Sequence, residues 1–143
     1  MMNEIANSDT DSENKDLYVH WHNGYAGDRN IRVFKLCDDD SGLTIDLGNS
    51  PESITAQLVF ENVYAYRNLD ESFRARLFRR YQDGLPNLFY RVTGSTLLQW
   101  FHEESMNIYD DKTITHYAIV TTADCIDVLT DCAPALHLIS LSR

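Results

Sequence analysis

The tripeptide His20-Trp21-His22 is the first arrangement in this sequence that could do chemistry. Residues two apart on a strand point to the same face, so both imidazoles could bind one metal ion. Candidate third ligands elsewhere in the chain are His102, Glu103 and His116. Metal-binding barrels with this arrangement also carry a carboxylate close by, whereas the next acidic residue here is Asp28, beyond a glycine-containing turn. The pattern favours two surface histidines beside a core tryptophan, and we predict neither a metal site nor a cofactor.

Catalytic motifs are the second kind of chemistry to consider. The sequence contains no G-x-S-x-G nucleophile motif and no glycine-rich phosphate loop. The pairs Glu103–Glu104 and Asp110–Asp111 consist of adjacent residues, whose side chains point in different directions and do not form an acid–base couple. We therefore predict that the protein is not an enzyme.

An arginine-rich segment lies in the middle of an otherwise acidic chain. Residues 67–91 contain six arginines and three acidic residues, a net charge of +3. The arginines are Arg67, Arg74, Arg76, Arg79, Arg80 and Arg91. They could bind a phosphate or a carboxylate-rich partner, or they could pair with the surrounding acids and keep a helix soluble. We favour the second interpretation.

The charge of the whole chain restricts its partners. With 22 acidic and 12 basic side chains, the formal net charge is −10. Such a charge opposes binding to nucleic acid or anionic lipid and attracts basic proteins. Residues 92–143 are the most acidic block after the first 16 residues, and aromatic side chains beside acids make good protein-binding surfaces. The predicted partner-binding residues are Glu103, Glu104, Tyr109, Asp110 and Asp111.

Short β-rich runs separated by turn signals must position these residues. Strands are predicted over residues 17–22, 31–36, 43–47, 88–93 and 114–122. Residues 54–67 alternate as one unusually long strand, with a bulge or bend near Glu61–Asn62. Residues 124–131 fit a helix or a strand, and their β-branched side chains favour a strand.

Helices are fewer than strands. One is predicted over 68–84, where Asn68 and the acid three residues later have capping-box spacing. A second is predicted from Ser95 or Thr96 through Glu104. Because most links have hairpin length, we predict an α+β fold: a mainly antiparallel, strongly curved β-sheet or partly closed barrel with one or two helices.

The length and the N-terminal composition predict one domain behind a short leader. Residues 1–16 carry almost no apolar side chain after Ile5, so we expect a disordered acidic leader, with residues 17–143 as a single globular domain. The chain has no secretory signal, no apolar run that could cross a membrane, and too few cysteines for a disulfide framework. These features predict a cytoplasmic protein without membrane contact.

Two stretches resemble segments of small bacterial immunity proteins. The first is Phe60-Glu61-Asn62-Val63-Tyr64-Ala65-Tyr66-Arg67, followed by Asp70-Glu71, and the second is His116-Tyr117-Ala118-Ile119-Val120-Thr121, followed by Asp124 and by Ile126-Asp127-Val128-Leu129. Immunity proteins of this kind belong to polymorphic toxin and contact-dependent inhibition systems. The resemblance implies a cytosolic acidic protein that binds and neutralises a cognate toxin domain, often a basic nuclease.

Three functional hypotheses follow. We favour a non-enzymatic binding protein, most concretely an immunity protein that neutralises a basic, nuclease-like toxin domain. The alternatives are a small metal-binding or enzymatic β-barrel that uses His20 and His22, and a general protein-interaction domain. A toxin-domain reading frame next to the gene would favour the first hypothesis, and stoichiometric zinc in the purified protein would favour the second.

Overall fold

The computed structural model describes residues 15–25, 27–28 and 30–140, which form nine strands and two short α-helices. The strands are β1 (Leu17–His20), β2 (Arg32–Asp39), β3 (Gly42–Gly48), β4 (Ile54–Phe60), β5 (Val63–Asp70), β6 (Phe89–Thr93), β7 (Thr115–Val120), β8 (Asp124–Thr130) and β9 (Ala135–Leu138). The helices are α1 (Ala75–Arg80), which follows a 3₁₀ turn at Glu71–Phe73, and α2 (Thr96–Glu104). Of the predicted leader, residues 1–14 lie outside the described part of the chain.

The strands pair into two antiparallel sheets. The five-stranded sheet has the order β1-β6-β7-β8-β5, and the four-stranded sheet has the order β2-β3-β4-β9. Every pairing between neighbouring strands is antiparallel. The prediction of an α+β fold with mainly antiparallel strands and one or two helices is therefore confirmed. Over the described residues both sheets are open, and the strongly curved or partly closed form is not confirmed.

The main core lies between the two sheets. On β3 and β4 every second side chain is buried, as the alternating sequence pattern requires. These residues are Leu43, Ile45, Leu47, Ala56, Leu58 and Phe60. They pack against side chains of the five-stranded sheet, namely Phe89, Tyr117, Ile119, Ile126 and Val128. Removal of this apolar surface from water is the main contribution that holds the sheets together.

The other face of the five-stranded sheet is covered by α1 and the residues that follow it. Leu77, Phe78 and Tyr81 pack against a second cluster of buried side chains. This cluster contains Tyr18, Tyr90, Val92, Ala118, Val120 and Cys125. β7 and β8 are buried on both faces, and their buried side chains include the polar His116, Asp127 and Thr130 as well as apolar residues.

The prediction of one long strand over residues 54–67 is wrong. The chain turns at Glu61–Asn62, so that β4 belongs to the four-stranded sheet and β5 to the five-stranded sheet. The hydroxyl of Thr130 donates a hydrogen bond of 2.5 Å to the carbonyl oxygen of Asn62 and anchors the turn. The expected bend is present, but it connects two sheets.

The helix predicted over residues 68–84 is largely wrong. Asn68 continues β5 opposite Ile126, so it does not cap a helix. Asp70 instead caps the 3₁₀ turn at Glu71–Phe73, where its side chain accepts a hydrogen bond of 2.9 Å from the Ser72 backbone N–H. Pairing of β5 with β8 outweighs the local helical preference and leaves α1 only six residues long.

The second helix and the strands β6, β7 and β8 agree with the predictions, whereas β9 was not predicted. The Ser95 hydroxyl accepts a hydrogen bond of 3.0 Å from the Leu98 N–H and begins α2, which ends at Glu104. Residues 124–130 form a strand, as their β-branched content indicated. Neither described helix has the length and apolar character needed to cross a membrane.

Candidate partner-binding surface

The five residues predicted to bind a partner lie at the end of α2 and in the loop that leads to β7. They are Glu103, Glu104, Tyr109, Asp110 and Asp111, and we call them the acidic surface. The loop folds back on the helix, which places Oδ1 of Asp110 3.3 Å from Nδ1 of His102. This distance is short enough for an ion pair, but the two groups are not aligned for a hydrogen bond. All four acidic side chains are exposed, so they are available to a partner.

An aromatic cluster fixes the loop to the rest of the fold. The ring of Tyr109 lies 5.5 Å from that of Tyr64 on β5 and 5.9 Å from that of Phe101 on α2, between centroids. The rings of Tyr64 and Phe101 are themselves 5.7 Å apart in an edge-to-face arrangement. Such contacts add to the stabilisation from burial alone. Tyr109 thus anchors the loop from which the neighbouring acids project.

Hydrogen bonds within the loop hold its backbone in place. The Asn107 N–H donates to the carbonyl oxygen of His102 at 2.8 Å, and the Ile108 N–H donates to that of Ser105 at 3.2 Å. Met106 and Asn107 both adopt left-handed backbone conformations, with φ of 54° and 59°. Asparagine tolerates this region, whereas methionine rarely occupies it. Met106 is therefore a strained residue in a well-defined loop.

Large apolar side chains project from the same helix and loop, and the sequence analysis did not assign them to the site. Met106 is 82% exposed, Ile108 is 72% exposed, and Trp100 on α2 is also exposed. The only sequence signal was two apolar residues in a polar segment between predicted elements. Exposed apolar side chains surrounded by polar ones are typical of protein-binding sites.

The end of β8 contributes a further acidic residue. The Tyr64 hydroxyl donates a hydrogen bond of 2.8 Å to Oδ2 of Asp131. This bond lowers the pKa of Asp131 and raises the pKa of Tyr64, since it favours the charged carboxylate and the neutral phenol. Asp131 is therefore a carboxylate at neutral pH beside the aromatic cluster.

A chain of buried polar side chains connects the start of α2 to β7 and β8. The Ser95 hydroxyl lies 2.6 Å from Nδ1 of His116, and Nε2 of His116 lies 2.7 Å from Oδ1 of Asp127. Because the Ser95 oxygen already accepts the Leu98 N–H, its own hydrogen can point to Nδ1. If Nε2 of His116 donates to Asp127, every member of the chain has a hydrogen-bond partner.

Asp127 is the charged centre of this network. Nε of Arg67 and Nη1 of Arg74 donate to its Oδ2 at 2.7 and 3.0 Å. Burial alone would raise the pKa of Asp127, but the His116 hydrogen bond and the two guanidinium charges hold it well below its usual value. Two arginines of the basic segment thus pair with an acid, as the favoured interpretation stated. The Arg80 side chain in turn donates to the backbone carbonyl oxygen of Asp16.

The Ser95–His116–Asp127 chain has the residue types of a serine-hydrolase triad but a different environment. The second oxygen of Asp127 is bound by two arginines, which reduces its ability to stabilise a protonated His116. The Ser95 hydroxyl is buried and occupied as the helix cap. In addition, the Asp16 carboxylate binds the Thr96 N–H at 2.7 Å, at the helix end where an oxyanion would need donors. The geometry fits a structural network that joins the helix to the sheet.

Asp16, which the sequence analysis placed in the leader, lies within the fold. Its side chain is buried and accepts hydrogen bonds from the Thr96 N–H and the Thr96 hydroxyl. A negative charge at this position also complements the dipole of α2. Asp16 therefore supports the helix that carries the acidic surface.

His20 and His22 do not share a strand, because β1 ends at His20. Their rings nevertheless lie 4.0 Å apart between centroids. Trp21 packs edge-to-face against Phe89 and Tyr117 of the main core, as expected for a core tryptophan. Among the described residues, no three His, Cys, Asp or Glu side chains are grouped closely enough to hold a metal ion.

Comparison with known proteins adds no relative to this description. No family model, no curated protein and no solved structure matches the chain. Its function is therefore inferred from the charges, the exposed side chains and the hydrogen bonds described above.

Proposed function

We propose that this is a non-enzymatic, cytoplasmic binding protein, most concretely an immunity protein that neutralises a basic, nuclease-like toxin domain. The observation that carries the proposal is the acidic surface together with the exposed apolar side chains of Met106 and Ile108, which lie in the same loop. Apolar anchors surrounded by charges are the usual composition of a protein-binding site. The resemblance of residues 60–67 and 116–121 to immunity proteins supports the same role.

The sign of the charge selects a basic partner. The chain carries a net charge of −10, so its field attracts cationic proteins and repels nucleic acid. Glu103, Glu104, Asp110 and Asp111 place four of these charges where a partner can approach. Attraction of this kind acts mainly on the association rate and weakens with salt, because the Debye length falls from about 10 Å at 0.1 M to about 3 Å at 1 M.

The arginine-rich segment offers a poorer recognition surface. Arg67 and Arg74 are engaged by the buried Asp127, and Arg80 is bonded to the Asp16 backbone. These three guanidinium groups bind other parts of the fold, and the charge of Asp127 partly compensates those of Arg67 and Arg74. We therefore assign recognition to the acidic surface.

The experiment uses the product of the gene beside this one, which the proposal predicts to be a basic toxin domain. Growth protection on co-expression and association rates at low and high salt are measured for wild type and for Glu103→Lys/Glu104→Lys. The matched control is Glu52→Lys/Asp83→Lys, which changes the net charge equally. Both control residues are exposed; Glu52 lies in the β3–β4 turn and Asp83 in the segment after α1.

The proposal requires slower association and weaker protection for the acidic-surface variant than for its control. Reversal of Arg76 and Arg79, two exposed arginines of the basic segment, should have a smaller effect. If the acidic-surface variant associates like its control while the arginine variant fails to protect, the recognition surface is misassigned. If no neighbouring gene product binds the wild-type protein, the immunity role is wrong.

A further inference from the structure

We infer that the loop between α2 and β7 inserts into a concave cleft of the partner, with Met106 and Ile108 as the anchors that hold the complex. The cleft would have an apolar floor and a basic rim. This inference rests on the proposed function and adds the mode of inhibition, which is blockage of a nucleic-acid-binding cleft.

The exposure of the two side chains is the first argument. Met106 is 82% exposed and Ile108 is 72% exposed, and neither belongs to a core cluster of the described fold. Exposure of large apolar side chains to water is unfavourable, and these two side chains add little buried surface to the fold. A partner that covers these side chains removes their apolar surface from water, and this burial stabilises the complex.

The backbone of the loop is the second argument. Met106 is held at φ of 54°, a conformation in which asparagine or glycine would be under less strain. The Met106 N–H donates to the carbonyl oxygen of Glu103 at 3.1 Å, and the loop's other hydrogen bonds and the contacts of the Tyr109 ring with Tyr64 and Phe101 hold the loop in place. A strained residue in an ordered loop indicates a conformation retained for binding. Such preorganisation reduces the entropy lost on association.

The charges around the loop define the shape and chemistry of its partner. Glu103 and Glu104 lie on one side of Met106 in the chain, and Asp110 and Asp111 lie beyond Ile108. Exposed apolar side chains between two acidic pairs are complementary to a cleft whose floor is apolar and whose rim carries lysine or arginine. A cleft with a basic rim also binds the phosphates of nucleic acid. Occupation by the loop and binding of nucleic acid are therefore mutually exclusive.

The test compares binding variants that leave the fold intact. Met106→Asn and Ile108→Asn replace exposed side chains, and asparagine suits the left-handed backbone at position 106. Phe73→Asn is the matched control, since Phe73 is also 72% exposed but lies in the 3₁₀ turn before α1. Melting temperatures verify that all three variants are folded. Dissociation rates from the toxin domain and displacement of a fluorescein-labelled 20-mer DNA duplex from that domain are then measured.

The inference predicts roughly tenfold faster dissociation for the Met106 and Ile108 variants, with little change in association rate and no effect of the Phe73 control. The wild-type protein should displace the duplex completely. If Glu103→Lys/Glu104→Lys slows association while the two apolar variants dissociate like wild type, the proposed function stands and the insertion is wrong. A ternary complex of this protein, the toxin domain and the DNA duplex would also overturn the insertion.

Discussion

Replacement of Asp127 by asparagine tests the buried network that joins α2 to the sheet. Asp127 is 1% exposed and accepts hydrogen bonds from His116, Arg67 and Arg74. An amide of the same size keeps one acceptor oxygen, but it presents an N–H₂ donor to groups that are themselves donors. The substitution leaves the two arginines without their counter-charge and disrupts the hydrogen bonds that meet at this side chain.

The expected loss of stability follows from the burial of each partner. Arg67 is 37% exposed, so solvent screens its ion pair and its contribution is small. Arg74 is only 13% exposed and His116 is fully buried, so their interactions with Asp127 dominate. Removing one partner of a buried ion pair costs about 3–5 kcal/mol. For a domain of this size, that corresponds to a decrease of roughly 10–20 °C in melting temperature.

The assay is thermal unfolding followed by circular dichroism, with urea titration to obtain the free energy of unfolding. Asp38→Asn is the matched control, because Asp38 is exposed on β2 and should change stability by less than about 0.5 kcal/mol. If Asp127→Asn melts within about 3 °C of wild type, close to the shift per kcal/mol expected for a domain of this size, the network contributes little. The structural role assigned to Asp127 would then be wrong.

Further predictions concern pH, the helix caps and metal binding. The pKa of Asp127 is depressed in the folded state, so the stabilisation that its carboxylate provides is fully present above the unfolded pKa of about 3.9 and is lost as the pH falls through the folded pKa. The difference in unfolding free energy between wild type and Asp127→Asn, measured by urea titration, should therefore shrink below about pH 4. Ser95→Ala removes the cap of α2 and should lower the unfolding free energy by about 1–2 kcal/mol, whereas an unchanged value would contradict the cap's importance. Deletion of residues 1–14 should leave the melting temperature unchanged while Asp16→Ala lowers it, and the reverse order in calorimetry would refute the assignment of Asp16 to the fold. Elemental analysis of protein purified without chelator should give well under one equivalent of zinc, and full occupancy that is lost in His20→Ala/His22→Ala would establish a metal site.

Local sequence patterns predicted α2 and most of the strands, but not β9 or the division between β4 and β5. Ser95 as a cap and the β-branched residues of 124–130 act within a few positions of the chain. The 54–67 prediction missed the change of sheet at the expected bend, and the 68–84 prediction gave too long a helix, because tertiary pairing decides both. The turn at Glu61–Asn62 changes sheets, and β5 continues to Asp70 because β8 lies beside it.

In the candidate site, too, some features could be predicted from the sequence and others depend on the tertiary structure. The acidic residues at positions 103, 104, 110 and 111 were found from charge alone, since exposure follows from their type. The Ser95–His116–Asp127 network joins residues that are 21 and 11 positions apart, a spacing that no local motif specifies. The exposure of Met106 and Ile108 depends on how the loop folds against Tyr64, which periodicity does not reveal.

Hydrogen exchange of this protein, alone and with the product of the neighbouring gene, tests whether the acidic surface binds the proposed partner. Binding through the acidic surface should slow the exchange of backbone amides in residues 99–112, with little change over residues 67–91. Protection confined to residues 67–91, with residues 99–112 exchanging as in the free protein, would contradict the assignment of recognition to the acidic surface.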